Sequence, residues 1–275
     1  MFDGSTEIIA HLGYPTHSFR SPSIYNPWFR AHDINVAVVP MGVKAEDYRD
    51  VFRSLFRITN VRGALVTMPH KVTTMSLVDE VSPTARAAGA TNAVVVRADG
   101  SLFADQFDGT GFVRSLIGKG FEPTSKRALV VGNGGVGSAI AASLAATGLA
   151  EIGLFDVSTA TSSKLAERIR QHFPEVVVSS ASNDPDGYDL VVNATPAGMK
   201  HDDPLPVDVA SIRRGAYVAD VVLTVDRTPF LRAAEARGCV IQTGAEMLTE
   251  MVPACLRFFG YEPDGNAPAA ARLLD

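Results

Sequence analysis

Short runs rich in β-branched and other apolar residues recur along the chain at Ile8–Leu12, Val36–Pro40, Gly63–Thr67, Ala128–Val131, Ile152–Phe155, Val176–Val178, Leu190–Asn193, Tyr217–Val221 and Val240–Ile241, with helical spacing of apolar positions between them. That alternation of strand and helix predicts an α/β protein. Ser21-Pro22 reads as an N-cap followed by proline at the first helical position, opening a helix toward His32. A second helix carries Tyr48, Phe52 and Leu55 on its apolar side. The alternation breaks between Thr91 and Ala104, where two strand-like runs flank Ala98-Asp99-Gly100; an Asp-Gly pair supplies the positive φ values of a tight hairpin turn. A fresh βαβ series begins at Ala128 beyond the Gly118–Ser125 linker, which places a domain junction near Asp108-Gly109. The last helix, from about Ala245 to Phe259, fits either domain, and the small, proline-containing tail Asn266–Ala271 is expected to be loosely ordered.

The chain has 275 residues, 46% of them hydrophobic, enough for one large core or two modest ones, with two the better match to usual domain sizes. A formal net charge of −5 argues against a nucleic-acid binder, which needs a basic surface to neutralise phosphates. The two cysteines, Cys239 and Cys255, form no Cys-x-x-Cys pair, so neither a disulfide framework nor a metal site is indicated. The N-terminus lacks the basic start of a secretory signal, and no apolar stretch approaches the ~20 residues of a membrane span. These features predict a soluble, unprocessed, cytoplasmic protein that is a monomer or homodimer and binds neither nucleic acid nor membrane.

The strand at Arg127–Val131 runs directly into Gly132-Asn133-Gly134-Gly135-Val136-Gly137, and a strongly helix-forming segment follows. In this dinucleotide-binding fingerprint Gly132 allows the sharp turn, Gly134 lets the backbone approach a pyrophosphate, and Gly137 lets helix and strand pack closely. The N–H groups at the helix start then face the phosphates. The next strand ends in Asp156, about 20 residues on, where an acid accepts hydrogen bonds from ribose hydroxyls and repels a 2′-phosphate. The expected cofactor is therefore NAD in preference to NADP, with NADP possible if Arg168 or Lys164 reaches this region. The plainer reading of Asp156 is a helix cap, a role also open to Ser158 or Thr159.

Three polar groups stand in the first half where apolar runs end: Lys71, Asn92 and Asp108. The segments that carry them, Gly63–Lys71, Ala88–Ala93 and Asp105-Gln106-Phe107-Asp108-Gly109, resemble the shikimate/quinate dehydrogenase family, as do Ser18–Pro22, Asn193–Met199 and Thr228–Leu231. The order and spacing of these matches run through nearly the whole chain. The resemblance implies a smaller α/β substrate domain from residues 1–108 and 243–275, and a doubly wound Rossmann-type domain from residues 109–242. It further implies an active site in the cleft, with Lys71 and Asp108 as the catalytic pair and Asn193 and Thr195 among the cofactor-binding residues. Alcohol oxidation asks for such a pair on its own account, since a base must take the hydroxyl proton as hydride leaves the carbon. Taken singly, the lysine reads as a surface group and the Asp-Gly as a turn.

Ser21, Thr67 and Asn92 match the family's substrate-binding positions. Aligned without gaps, however, Phe19 stands at a family serine, Leu65 at an asparagine, Leu223 at a tyrosine and Met251 at a glutamine. A one-residue gap would instead align His17-Ser18 and restore a serine. The exchanges remove polar partners or add bulk, and a hydroxyl-rich acid loses affinity with each partner lost. The expected activity is thus NAD(P)-dependent oxidation of a secondary alcohol in a shikimate- or quinate-like cyclic substrate, the chemistry of aromatic amino acid biosynthesis, with altered specificity. A carboxylate would then be held by other groups such as Arg20 or His70. Two other readings stand beside it: a regulator that senses NAD or a metabolite without turnover, and a different Rossmann reductase such as a methylenetetrahydrofolate dehydrogenase.

Overall fold

The computed structural model describes residues 2–180, 182–200 and 202–261, so the Asn266–Ala271 segment lies outside the described residues. It is an α/β protein of two compact units. Among the described residues the first unit comprises 2–86, 90–107 and 252–261, and the second 87–89 and 108–251.

The first unit runs β1 (Glu7–Gly13), α1 (Ser21–Ala31), β2 (Val36–Gly42), α2 (Tyr48–Leu55), β3 (Val61–Val66), β4 (Glu80–Val81), α3 (Pro83–Ala88), β5 (Ala93–Val96) and β6 (Leu102–Asp105), with the last residues of α3 belonging to the second unit. The sheet order is β2-β1-β3-β5-β6-β4. The first three strands are parallel, whereas β5 lies antiparallel to both β3 and β6, as expected for a hairpin, and Gly100 takes the positive φ of its turn. Side chains alternate across a strand. Ala10, Leu12, Ala64 and Val66 therefore share one face and pack with Tyr48, Phe52 and Leu55 of α2, which leaves His11 and Leu65, paired in register, on the other face. The start of α1 differs from the expectation. Arg20 is the N-cap, already near helical geometry at φ −99° and ψ −26°, and makes no side-chain capping bond, so Ser21 is the first helical residue rather than the cap.

The second unit runs α4 (Asp108–Gly118), β7 (Arg127–Val131), α5 (Gly135–Ala145), β8 (Glu151–Phe155), α6 (Thr159–His172), β9 (Val177–Ser180), β10 (Leu190–Asn193), β11 (Tyr217–Asp220), α7 (Pro229–Ala236), β12 (Val240–Gln242) and α8 (Gly244–Phe258), the last helix ending in the first unit. All six strands are parallel in the order β12-β11-β10-β7-β8-β9, the doubly wound arrangement whose ligand crevice lies beyond the strand carboxyl ends where the order reverses, next to β7. Both faces of the sheet are covered. Val130, Leu154 and Val192 pack with Ile140 and Leu144 of α5 and Leu165 of α6, while Leu129, Val191 and Val218 pack with Phe230 and Leu231 of α7. Burial on both sides explains why these strands read as continuous apolar runs.

Candidate active site

The glycine turn sits at the carboxyl end of β7. Gly132 has φ +91°, and a Cβ there would lie 2.7 Å from Thr195 Cγ2, so only glycine fits. Gly134 is the N-cap of α5, with open space where a side chain would stand. At Gly137 a Cβ would run into the carbonyl oxygen of Gly132. Each glycine of the fingerprint thus meets a separate steric demand, and the first turn of α5, Gly135-Val136-Gly137, opens beside an unobstructed backbone. That arrangement fits a pyrophosphate at the helix start.

Asn133 points the other way. Its side chain is buried, donating from Nδ2 to the Val130 carbonyl (3.3 Å) and accepting from the Ser162 hydroxyl (2.9 Å). Its backbone N–H donates to Asp156 Oδ2 at 2.7 Å, and Asp156 Oδ1 accepts from Ser158 N at 2.9 Å. The acid at the end of β8 is therefore tied to the glycine turn, and the plainer capping role is also present. Arg168 donates to the Ala88 carbonyl at 3.1 Å, with its guanidinium against Gly89. Lys164 is exposed on α6.

Asn193 and Thr195 shape the loop after β10. Asn193 Oδ1 accepts from the Thr195 hydroxyl (2.6 Å) and backbone N–H (3.1 Å), Asn193 Nδ2 donates to the Ala197 carbonyl (2.9 Å), and Thr195 Oγ1 accepts from Ala197 N (3.1 Å). Ala194 and Thr195 also abut Gly132. Asp220, which the sequence pattern did not single out, supports this loop from β11. It is buried, accepts from Val222 N (3.0 Å) and the Thr228 hydroxyl (2.7 Å), and bonds Asn193; burial raises its pKa, with the hydrogen bonds opposing. A carboxylate at a strand's carboxyl end was the available signal. Leu223 lies half-buried just beyond, and Met251 is buried in α8 against Gly111.

In the first unit Lys71 follows β3 and the cis Met68-Pro69 bond, with only 8% of its surface exposed. Its carbonyl accepts from Thr91 N at 3.0 Å. Asn92, the next residue, accepts from Phe107 N at its Oδ1 (2.9 Å), while its own N–H donates to the Asp105 carbonyl. The Thr91-Asn92 peptide thus fixes the backbone at Lys71 on one side and immediately before Asp108 on the other. Asp108 opens α4 and is 4% exposed. Both members of the expected pair are buried rather than surface groups.

Ser21 is buried at the start of α1, and Thr67 lies at the end of β3 with its Cγ2 over Gly13. Phe19 reaches the same spot and stacks on His11, ring centroids 4.1 Å apart. His70 is not available to a substrate carboxylate, because Nε2 pairs with the Val43 carbonyl at 2.8 Å and the ring stacks on Tyr48 at 3.6 Å. His11 was missed by pattern reading, although a histidine inside an apolar strand was its signal. Among the described residues no cluster of three or more His, Cys, Asp or Glu side chains could hold a metal, and no helix is long and apolar enough to cross a membrane.

Comparison with known proteins places this geometry in context. The profile described as the shikimate dehydrogenase substrate binding domain matches residues 12–94. The NADP(+) shikimate dehydrogenase of Rubrobacter xylanophilus is 36% identical over 273 residues, covering 96% of this chain and 95% of that protein. Among solved structures, a shikimate dehydrogenase in complex with NADP+ matches with a TM-score of 0.89 at 25% identity, over 100% of this chain and 97% of that one. The quinate dehydrogenase of Corynebacterium glutamicum in complex with NAD matches with a TM-score of 0.85 at 27% identity, over 98% and 97%.

Proposed function

The chain belongs to the shikimate/quinate dehydrogenase family, and on that premise we propose that it interconverts a secondary alcohol and its ketone on a shikimate- or quinate-like ring, with Lys71 as the proton-transfer group and Asp108 as its partner. The observation that carries this reading is the burial of both side chains on backbone held by Thr91 and Asn92. A neutral amine at Lys71 takes the hydroxyl proton during oxidation and, as an ammonium, returns it during reduction. Asp108, an acceptor when ionised, orients that amine and a substrate hydroxyl. A bound nicotinamide accepts or donates the hydride. Gly132, Gly134, Gly135, Val136 and Gly137 would hold its pyrophosphate with backbone groups, and Thr195 and Asn193 would shape the adjoining wall.

We further propose that NAD is preferred, although the named relatives use NADP(+). Asp156 is fixed by two N–H donors, and each oxygen keeps a lone pair for a ribose hydroxyl. A doubly charged 2′-phosphate about 5 Å away would be repelled by about 1–2 kcal/mol even in the dielectric of water. Arg168 is committed to Ala88, and Val157, beside Asp156, is 96% exposed and uncharged.

Altered specificity is the third part of the proposal. Phe19 and Leu65 present hydrocarbon where typical relatives carry polar groups, and Leu223 and Met251 do the same in the second unit. Cofactor absorbance with purified protein, NAD or NADP, and a panel of shikimate, quinate and simpler cyclic alcohols tests all three parts. Turnover that falls about 100-fold in Lys71→Met and runs faster with NAD supports them; cofactor binding with no turnover across the panel moves the assignment to a metabolite sensor.

A further inference from the structure

The first unit holds one buried titratable side chain for which the hydride-transfer reading has no use. His11 stands within β1, 5% exposed, and its Nδ1 is buried with no hydrogen-bond partner. An unpartnered buried polar atom is destabilising and uncommon, so it asks for a compensating role. Its surroundings are those of the substrate site. The Phe19 ring packs on the imidazole at 4.1 Å with a 33° tilt, Leu65 is its register neighbour on β3, and Thr67 Cγ2 and the tip of Phe19 together cover Gly13. Lys71 is near enough for its charge to act on the ring.

Burial first, and the Lys71 charge second, hold the His11 pKa down at about 3, so the imidazole is neutral at any ordinary working pH. This wall therefore offers hydrogen bonding and apolar contact but no positive charge. A carboxylate set against it would give up hydration with no counter-ion in return. A hydroxyl or carbonyl would be well served, because no protein partner on Nδ1 fixes the tautomer and the ring can present either a donor or an acceptor.

We propose that His11, packed on Phe19 beside Lys71, is a specificity-determining residue that hydrogen-bonds a substrate hydroxyl, and that the substrate class is an uncharged cyclic polyol or its ketone rather than a cyclic acid. Lys71 then acts on the neighbouring carbinol, a step that rests on the dehydrogenase reading above. The polarity of the wall does not depend on that reading. A histidine present only as core packing would be replaceable by leucine with no change in selectivity.

The test compares quinate with the cyclohexanetetrol that lacks only its carboxylate, by calorimetric binding to NAD-loaded protein and by turnover. The tetrol should bind and turn over with at least tenfold higher kcat/KM than quinate. His11→Leu should raise the KM for the tetrol about tenfold while leaving NAD affinity unchanged, His11→Asn should recover part of the loss, and Phe19→Ser with Leu65→Asn should move selectivity toward quinate. Tetrol binding that depends on His11 without any turnover upholds the assignment and overturns the dehydrogenase reading. Turnover that favours quinate, an unchanged KM in His11→Leu, or failure of the wild type to bind the tetrol overturns the assignment.

Discussion

The two outer glycines of the fingerprint can be told apart by substitution. In Gly137→Ala the new methyl would overlap the Gly132 carbonyl oxygen, stand 2.9 Å from the carbonyl carbon and 3.1 Å from Ala194 Cβ. Neither neighbour yields easily. Gly132 is held at φ +91° by its bond to the Phe155 carbonyl (2.8 Å), and Ala194 by its bond to the Val131 carbonyl (2.7 Å). Overpacking of this kind costs about 1–3 kcal/mol, which in a chain of this size lowers Tm by roughly 3–10 °C. The turn must shift to relieve the overlap, so NAD affinity should fall at least tenfold, equivalent to about 1.4 kcal/mol. Gly134→Ala is the counterpart. Its φ of −69° suits alanine and its Cβ meets nothing within 4 Å, so Tm should hold while NAD binding weakens because the methyl occupies the approach of the pyrophosphate. Thermal melts of the apoprotein and fluorescence titration with NAD measure both quantities. Wild-type NAD affinity in Gly134→Ala would refute the placement of the pyrophosphate, and an unchanged Tm in Gly137→Ala would refute the steric argument.

Asp156→Asn should raise the NADP-to-NAD ratio of kcat/KM about tenfold, from the repulsion of about 1–2 kcal/mol that it removes; an unmoved ratio would show that Asp156 does not face the ribose. Asn92→Ala leaves the Phe107 N–H without its acceptor and should destabilise the protein by about 1–3 kcal/mol in urea melts, with a stability equal to wild type counting against the tie. Stability should also fall on acidification. His11 titrates at its ordinary 6.5 when unfolded and at about 3 when folded, so below about pH 6.5 the unfolded chain binds the extra proton. The loss comes to about 2 kcal/mol between about pH 7 and about pH 5. His70, also lowered by burial, adds a slope of the same sign. His11→Leu should show a shallower slope over that range, and an identical slope would mean that His11 is charged in the folded state.

The second unit was the more legible part of the sequence because its strands are buried on both faces. Leu190–Asn193 stands where the apolar run put it, and the glycine turn stands where the fingerprint put it. The hairpin at Asp99-Gly100 and the apolar side of α2 were equally open to local reading. The two-residue β4 is too short for alternation to register, and the capping role given to Ser21 failed because helical geometry begins one residue earlier, at Arg20. At the site, a motif identifies residue types but not directions. Asn133 belongs to the fingerprint yet turns inward to Val130 and Ser162, and His70 looked free to hold a substrate yet is taken by Val43 and Tyr48. His11 and Asp220 escaped notice because their meaning depends on neighbours distant in sequence, Phe19 and Leu65 for one, Thr228 and Asn193 for the other.

The most direct test of the proposed chemistry is deuterium transfer from nicotinamide-deuterated NADH to ring ketones, the oxidised forms of quinate and of its carboxylate-free tetrol, with wild type and Lys71→Met compared by mass spectrometry. The account predicts one deuterium at the carbinol carbon of the wild-type product, and a yield per enzyme about 100-fold lower in Lys71→Met with NADH affinity unchanged. No deuterium in either product, or equal yields from the two proteins, would contradict it.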